Sequence, residues 1–251
     1  MSTAIITGAS SGFGKACAQL FAQNGYDLIL TARRADRLEA LAEEIRNEYK
    51  VTVLAKAFDI REKASVVAAF ASMDAPFNKI DVLVNNAGLA VGMNTIDNGL
   101  TDDWDRMIDT NVKGLLYVTK AVLPYMTANN SGHIINVGSL AGLEVYPNGN
   151  VYCASKHAVK ALSKGMRIDL VQYGIRVTNI SPGLAETEFS IVRFKGDEDK
   201  ASAVYEGFEP LTAMDVAEVI WFAASRPAHV NLEEITILPT AQADSRTVKK
   251  N

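Results

Sequence analysis

Tyr152 and Lys156 stand four residues apart in a stretch, 152–173, patterned as a helix, so their side chains share one face. A phenol titrates near pH ~10, too high for ready proton exchange at neutral pH. A neighbouring ammonium favours the phenolate and lowers that value. Tyrosine and lysine at this spacing are also an ordinary surface pair, so other groups must decide. Ser139 follows directly on the apolar run 133–137, and Asn85-Asn86-Ala87-Gly88 closes the run 81–85. Asn111 lies in a long helical pattern, 102–129, while Pro182-Gly183 and Thr187 follow the run 176–180. Open α/β sheets bind their ligands outside the carboxyl ends of the strands, where these groups stand or can reach. A hydroxyl at Ser139 and a phenol at Tyr152 could stabilise negative charge developing on a substrate oxygen.

A second feature supplies a place for phosphate. Thr7-Gly8-Ala9-Ser10-Ser11-Gly12-Phe13-Gly14 joins a short apolar run to a helical one, with glycines spaced G-x-x-x-G-x-G rather than G-x-G-x-x-G. Glycines there permit a tight turn, let a pyrophosphate approach the backbone and bring the helix against the sheet. The free N–H groups at the helix start favour an anion. The next strand ends in Ala32-Arg33-Arg34, with no acid where an NAD-selective fold carries one for the ribose 2′-OH. A guanidinium grips a 2′-phosphate that a carboxylate would repel. NADP is therefore expected over NAD. Asp59 and Ile60, just past the third strand, complete the cofactor candidates; the Asp59 carboxylate either accepts from an adenine amino group or caps the following helix.

These groups need a frame. Strand patterns at 4–7, 27–32, 51–58, 81–85, 133–137, 176–180 and 234–238 alternate with helical patterns at 14–24, 37–49, 63–73, 102–129, 152–173 and 214–225. Asp27-Leu28-Ile29-Leu30 and Val82-Leu83-Val84 are continuously apolar, as strands covered on both faces are. The alternation implies parallel strands and right-handed crossovers. The expected fold is a single α/β domain over residues 1–251, a Rossmann-type doubly wound sheet of about seven parallel strands with helices on both faces. The one long connection, 181–210, is expected to be a substrate lid, and the polar stretch 244–251 a frayed, flexible tail.

Composition limits the function. The 251 residues carry 25 Lys plus Arg against 29 Asp plus Glu, a formal charge of −4, and lack the basic excess of a nucleic-acid binder. No apolar run approaches the ~18 residues that span a bilayer. The start lacks a basic region followed by a long apolar one, and Cys17 and Cys153 both fall in helical patterns, so a reducing, cytoplasmic setting is expected. His133, His157 and His229 stand apart from carboxylates and cysteines at ligand spacing, so no metal is expected.

The ordered set Thr7-Gly8-x-x-x-Gly12-x-Gly14, Asn85-Asn86-Ala87-Gly88, Asn111, Ser139, Tyr152-x-x-x-Lys156 and Pro182-Gly183 resembles the short-chain dehydrogenase/reductase family over nearly the whole chain. That resemblance implies hydride transfer to or from nicotinamide. It makes Tyr152 the proton donor or acceptor, Ser139 the holder of the substrate oxygen, and Lys156 the ligand of the nicotinamide ribose that also tunes Tyr152. Asn111 would position a water in the proton relay. Contacts to the cofactor would come from Ser10, Ser11, Phe13, Asn86, Ala87, Gly88, Pro182, Gly183 and Thr187. The segments 85–90, 107–111, 149–152, 188–197 and 227–231 are similar to the bacterial NADP-dependent 3-hydroxy acid dehydrogenases, which oxidise serine and allo-threonine and reduce malonic semialdehyde. Sulfoacetaldehyde reductases belong to the same neighbourhood. Both substrate classes are short anions, and Arg193 and Lys195 lie on the lid. Arg193 either meets the substrate carboxylate or sulfonate, or is solvated or bound to cofactor phosphate.

One loop departs from the comparison. Glu144-Val145 stand where those dehydrogenases tend to carry an aromatic residue and proline, with the tyrosine kept at Tyr146. Tyr146 either donates to an acid group or packs against the lid. A protein that binds NADP without turnover is the alternative from another class. It need not keep Asn111, Ser139, Tyr152 and Lys156, all of which are present. The helical patterns 102–129 and 152–173 are apolar around much of their circumference, and the family pairs these helices across a two-fold axis, so a homotetramer is expected.

Overall fold

The computed structural model describes residues 2–71 and 73–251. Seven strands are joined by helical crossovers: β1 (Thr3–Thr7), β2 (Asp27–Ala32), β3 (Val53–Ala57), β4 (Val82–Asn85), β5 (Gly132–Val137), β6 (Ile175–Pro182) and β7 (Glu234–Ile237). All pair in parallel, in the order β3-β2-β1-β4-β5-β6-β7. The order reverses between β1 and β4, and that crevice is where such sheets take ligands.

Successive strand residues feed opposite cores, which is why the apolar runs do not alternate with polar residues. Ala4, Ile6, Leu28, Leu30, Val82 and Val84 pack under α1 (Gly12–Gln23) and α2 (Ala35–Tyr49). Ile5, Ile29, Leu83, Ile134 and Val177 face the other layer, in one core with Val66 and Phe70 of α3 (Lys63–Phe70), Val118, Val122, Met126 and Leu170. Phe21 anchors the first core, edge-on to Tyr26 and Trp221 at 5.3 and 5.2 Å.

The expected helix 102–129 is three continuous segments: α4 (Thr101–Ile108), a π turn (Asp109–Gly114) and α5 (Leu115–Thr127). Single π turns inside α-helices recur at functional sites, and this one carries Asn111. The next long helix, α6 (Asn150–Leu170), begins two residues earlier than its pattern and ends in a short 3-10 turn. Strand β6 runs two residues further than expected, bringing Pro182 into register with Ile237 of β7. The expected helix 63–73 stops at Phe70, and position 72 lies outside the described residues.

The long connection after β6 is not structureless. It holds α7 (Glu188–Arg193) and α8 (Glu198–Ala203), each capped by a side chain, Thr187 and Asp197 respectively. A final helix, α9 (Ala213–Ala224), opens with a capping box between Thr212 and Asp215. The stretch expected to be a frayed tail makes local hydrogen bonds. Gln242 pairs with Val248 in an antiparallel bridge, and the Ala243, Lys249 and Asn251 amides donate to Thr247, Ala241 and Gly207 carbonyls at 2.9, 2.8 and 2.7 Å. Asp244 accepts from Arg246 and Thr247 amides, so a polar composition here forms a turn rather than solvating loosely.

Candidate active site

The carboxyl ends of β1, β2, β4, β5 and β6 open onto one cavity of about 500 Å³, bounded also by the connection after β6. At one end, Gly8 and Gly12 adopt φ +68° and +52°, values that glycine reaches without strain. A Cβ on Gly8 would sit 2.9 Å from Ala87 Cα, and one on Gly14 would collide with the Gly8 carbonyl. The turn is thus packed against the end of β4 as tightly as its sequence requires. Thr7 Oγ1 accepts from the Asn86 and Ala87 amides at 3.0 and 2.9 Å, and Asn86 Nδ2 donates to Thr7 O at 2.8 Å. Thr7 and Gly14 support the cavity wall from behind; Gly8, Ser10, Ser11, Gly12 and Phe13 line it.

Ser11 is the N-cap residue of α1 but leaves the capping N–H groups free of its side chain. Its hydroxyl accepts instead from Arg34 Nη2 at 2.8 Å, while Ser10 Oγ accepts from Arg34 Nη2 and Nε at 3.1 and 3.2 Å. Arg34 is therefore pinned above the glycine turn, whereas Arg33 is exposed at the same rim. Asp59 and Ile60 also line the cavity. Asp59 does not cap α3, whose N-cap is Glu62. It holds the Arg61 guanidinium at 2.7 Å, and although burial pushes its carboxyl up, Arg61 holds it below the usual carboxylate range.

At the other end, Ser139, Tyr146, Tyr152, Lys156, Pro182, Gly183, Thr187 and Arg193 converge on the same space, with Asn86, Ala87 and Gly88 between the two ends. Tyr152 and Lys156 share the buried face of α6, with Nζ 6.0 Å from the phenol ring centroid. The expected acidification is not what this arrangement produces. Burial pushes the Tyr152 phenol well above its ordinary value, reinforced by the Tyr146 phenol, while the Ser139 hydroxyl and Arg193 pull it back. The Lys156 ammonium is itself buried, which brings it down to about 8, and Nζ donates to the Val137 carbonyl at 2.8 Å. Desolvation is the largest influence on both partners.

Ser139 is the cap of a 3-10 turn (Leu140–Gly142), its Oγ accepting from the Ala141 amide at 3.1 Å. Asn111 does not line the cavity. Its side chain is fully engaged one layer behind, Oδ1 accepting from Leu89 N at 2.8 Å and Nδ2 donating to Leu89 O and Ser155 Oγ at 2.8 and 3.0 Å. A Cβ on Gly88 would lie 3.2 Å from Asn111 Oδ1 and 3.5 Å from Lys156 Nζ, so these three residues meet around one small space.

The lid supplies the most distinctive group. The Arg193 guanidinium stacks on Tyr146 at 5.3 Å and on Tyr152 at 5.6 Å, and its Nε and Nη2 are buried without hydrogen-bond partners. Lys195, the second lid cation, is spent elsewhere: Nζ pairs with the buried Asp103 at 2.7 Å. The Arg193 carbonyl accepts from Gly92 N at 3.0 Å. These two contacts hold the end of α7 over the substrate side. Phe189 of α7 covers the Tyr152 ring at 5.6 Å.

Several contributors had no signal in the sequence. Gln242 Oε1 accepts from Leu184 N at 2.8 Å and fills the space beside Gly183. Glu144, in the departing loop, accepts from Ser245 N at 2.8 Å, and Arg246 donates to Val145 O at 3.1 Å. The residues past Gln242 therefore brace the Glu144-Val145 loop. No group of three or more His, Cys, Asp or Glu that could hold a metal occurs among the described residues.

A family model described as short chain dehydrogenase matches residues 2–197. The chain belongs to the short-chain dehydrogenases. The NADP-dependent 3-hydroxy acid dehydrogenase YdfG of Salmonella typhi is 47% identical over 240 residues, 95% of each chain. A sulfoacetaldehyde reductase of Chromohalobacter salexigens is 46% identical over 239 residues, covering 95% of this chain and 94% of that one. Among solved structures, a closed form of serine dehydrogenase complexed with NADP+ superposes with a TM-score of 0.91 at 44% identity, covering 96% of both chains. The short-chain dehydrogenase fold, with its seven-stranded parallel sheet, is thus established for this oxidoreductase.

Proposed function

We propose that this short-chain dehydrogenase transfers a hydride between NADP(H) and a short anionic aldehyde or its hydroxy acid, with 3-hydroxy acids the leading substrates. The observation that carries the substrate class is Arg193. A guanidinium stacked on the Tyr146 and Tyr152 rings, with two buried nitrogens that no hydrogen-bond acceptor of the chain meets, suits an anion.

The residues present fit the dinucleotide. The Gly8–Gly12 turn, which a Cβ would fill, and the start of α1 suit a pyrophosphate. Arg34 with Ser10 and Ser11 suits a 2′-phosphate, and Lys156 with Tyr152 the nicotinamide ribose. The bound nicotinamide supplies the hydride; the chain supplies position and proton. In reduction, Ser139 donates a hydrogen bond to the carbonyl oxygen and Tyr152 Oη gives it a proton. Burial favours the neutral phenol, the form a donor needs. Lys156, brought to about 8, would hold the nicotinamide ribose and exchanges protons close to physiological pH beside Tyr152. Asn111 acts by holding the Leu89 segment and Ser155 in place.

A substrate panel of malonic semialdehyde, serine, allo-threonine and sulfoacetaldehyde, read as kcat/KM with NADPH and NADH in parallel, tests the reading. NADPH is expected to be preferred and the carboxylates to exceed the sulfonate. A sulfonate preference would make the chain a sulfoacetaldehyde reductase, the second reading that the 46% identical relative supports. Tyr152→Phe should lower kcat by about 10²-fold or more while NADPH affinity stays. Unchanged turnover would leave only a binding protein.

A homotetramer is proposed as the assembly. Ile168 and Val171, 65% and 71% exposed, lie at the end of α6 with Leu116 of α5 also exposed, surface that a partner would cover. No described helix is long and apolar enough to cross a membrane. With Cys17 and Cys153 both free and buried, a cytoplasmic location is proposed.

A further inference from the structure

The second strand ends without an acid, yet an acid reaches the same arginine from another element. Glu188, the first residue of α7, sends Oε2 to Arg34 Nη1 and Oε1 to Arg37 Nη1, both at 2.8 Å. Arg34 Nε and Nη2 go to Ser10 and Ser11. A planar guanidinium has a fixed fork of donors, and here the edge that is not held by the serines is held by Glu188. A 2′-phosphate gripped by Arg34 would need that edge. Two anions on one guanidinium repel each other, so carboxylate and phosphate compete. Arg37, on the first turn of α2, gives a displaced carboxylate somewhere to stay.

We propose that Glu188 is a specificity-determining residue for the cofactor. Its carboxylate competes with the 2′-phosphate for Arg34, setting the affinity for 2′-phosphorylated dinucleotides and tying it to the placement of α7. The same residue thereby links the adenosine end of the cavity to the helix that carries Arg193 over the substrate. This rests on the NADP reading above. A residue that merely orients Arg34 for the phosphate would act in the opposite direction, so the sign of one measurement separates the two roles.

The measurement is calorimetric binding of 2′,5′-ADP and of 5′-AMP to the full chain and to Glu188→Gln, which keeps the size and removes the charge. The ion pair is partly exposed, 44% at Glu188 and 39% at Arg34, so the change is modest. Glu188→Gln should bind 2′,5′-ADP about fivefold more tightly, with 5′-AMP changed by less than about twofold. Raising the salt to about 0.5 M should shrink that gain. Unchanged or weaker 2′,5′-ADP binding, or equal gains for both nucleotides, overturns the proposal. A wild-type chain that fails to prefer 2′,5′-ADP over 5′-AMP overturns the NADP reading itself and the proposal with it.

Discussion

Replacing Arg193 by methionine isolates its charge. Methionine keeps a long stem against Tyr146 and Tyr152 and still makes favourable contact with aromatic rings. The Gly92 N–H bond that anchors this point of the lid goes to the Arg193 backbone carbonyl, which methionine retains. What disappears is a cation with two buried, unpartnered nitrogens. Hydrogen bonds to charged groups contribute about 1.5–3 kcal/mol each. Two such bonds to a substrate carboxylate, partly offset by its own desolvation, should total about 3 kcal/mol, or about 150-fold in kcat/KM. Arg193 also lowers the Tyr152 phenol, so its removal slows proton donation to every substrate alike. The decisive quantity is therefore a ratio: kcat/KM for malonic semialdehyde over that for propanal, followed as NADPH oxidation. That ratio should fall by about 100-fold in Arg193→Met. Equal losses on both aldehydes would mean that the guanidinium serves the phenol or the lid and not the substrate anion.

Two stability predictions concern buried titratable groups. Lys156, at about 8 in the fold against about 10.4 unfolded, is a group the unfolded chain protonates more readily. Its penalty grows as pH falls from about 10.4 and is complete below about 8, reaching about 3 kcal/mol. Lys156→Met should abolish turnover yet, after about 1 kcal/mol lost at the Val137 carbonyl, raise the melting temperature by about 4–8 °C at pH ~7. The gain should vanish near pH ~9.7 and turn into a loss of about 1 kcal/mol by pH ~11; a variant less stable at neutral pH would refute it. His133 is buried and neutral, its Nε2 2.8 Å from Thr178 Oγ1, and burial lowers it to about 3. Its contribution is complete above about pH 6.5 and is lost as pH falls toward about 3, at about 1.4 kcal/mol per pH unit. Urea unfolding of His133→Gln should lack that slope between pH ~6 and ~4, and a slope identical to the wild type's would assign acid sensitivity to other groups.

The sheet, the glycine turn and the cluster of Ser139, Tyr152 and Lys156 were legible because local constraints dictate them. Glycines with φ near +60°, unbroken apolar strands and a four-residue helical spacing each have one cheap structural solution. The electrostatic balance at Tyr152 was not legible. Spacing says that an ammonium is near, but only the packing of Phe189 and Arg193 over the phenol says how little water remains. Lys195 looked equivalent to Arg193 as a lid cation until Asp103, ninety-two positions earlier, proved to be its partner. The ordered stretch after Gln242 and the reach of Glu188 to Arg34 are also long-range pairings, invisible to periodicity and composition. The π turn at Asn111 hid for another reason: one extra residue within a long apolar helix disturbs the pattern less than ordinary sequence variation does.

That extra residue separates two kinds of neighbour. Upstream, Met107 packs with Leu89, Val91 and Tyr152 beside the reacting groups; downstream, Val118, Val122 and Met126 lie under the sheet. A looser coil between them lets each half settle in its own phase. Substrate-facing positions can consequently drift, trading bulk or polarity for new chemistry, without re-indexing the layer on which folding depends. A scaffold shared by enzymes of differing appetites benefits from such a slip joint.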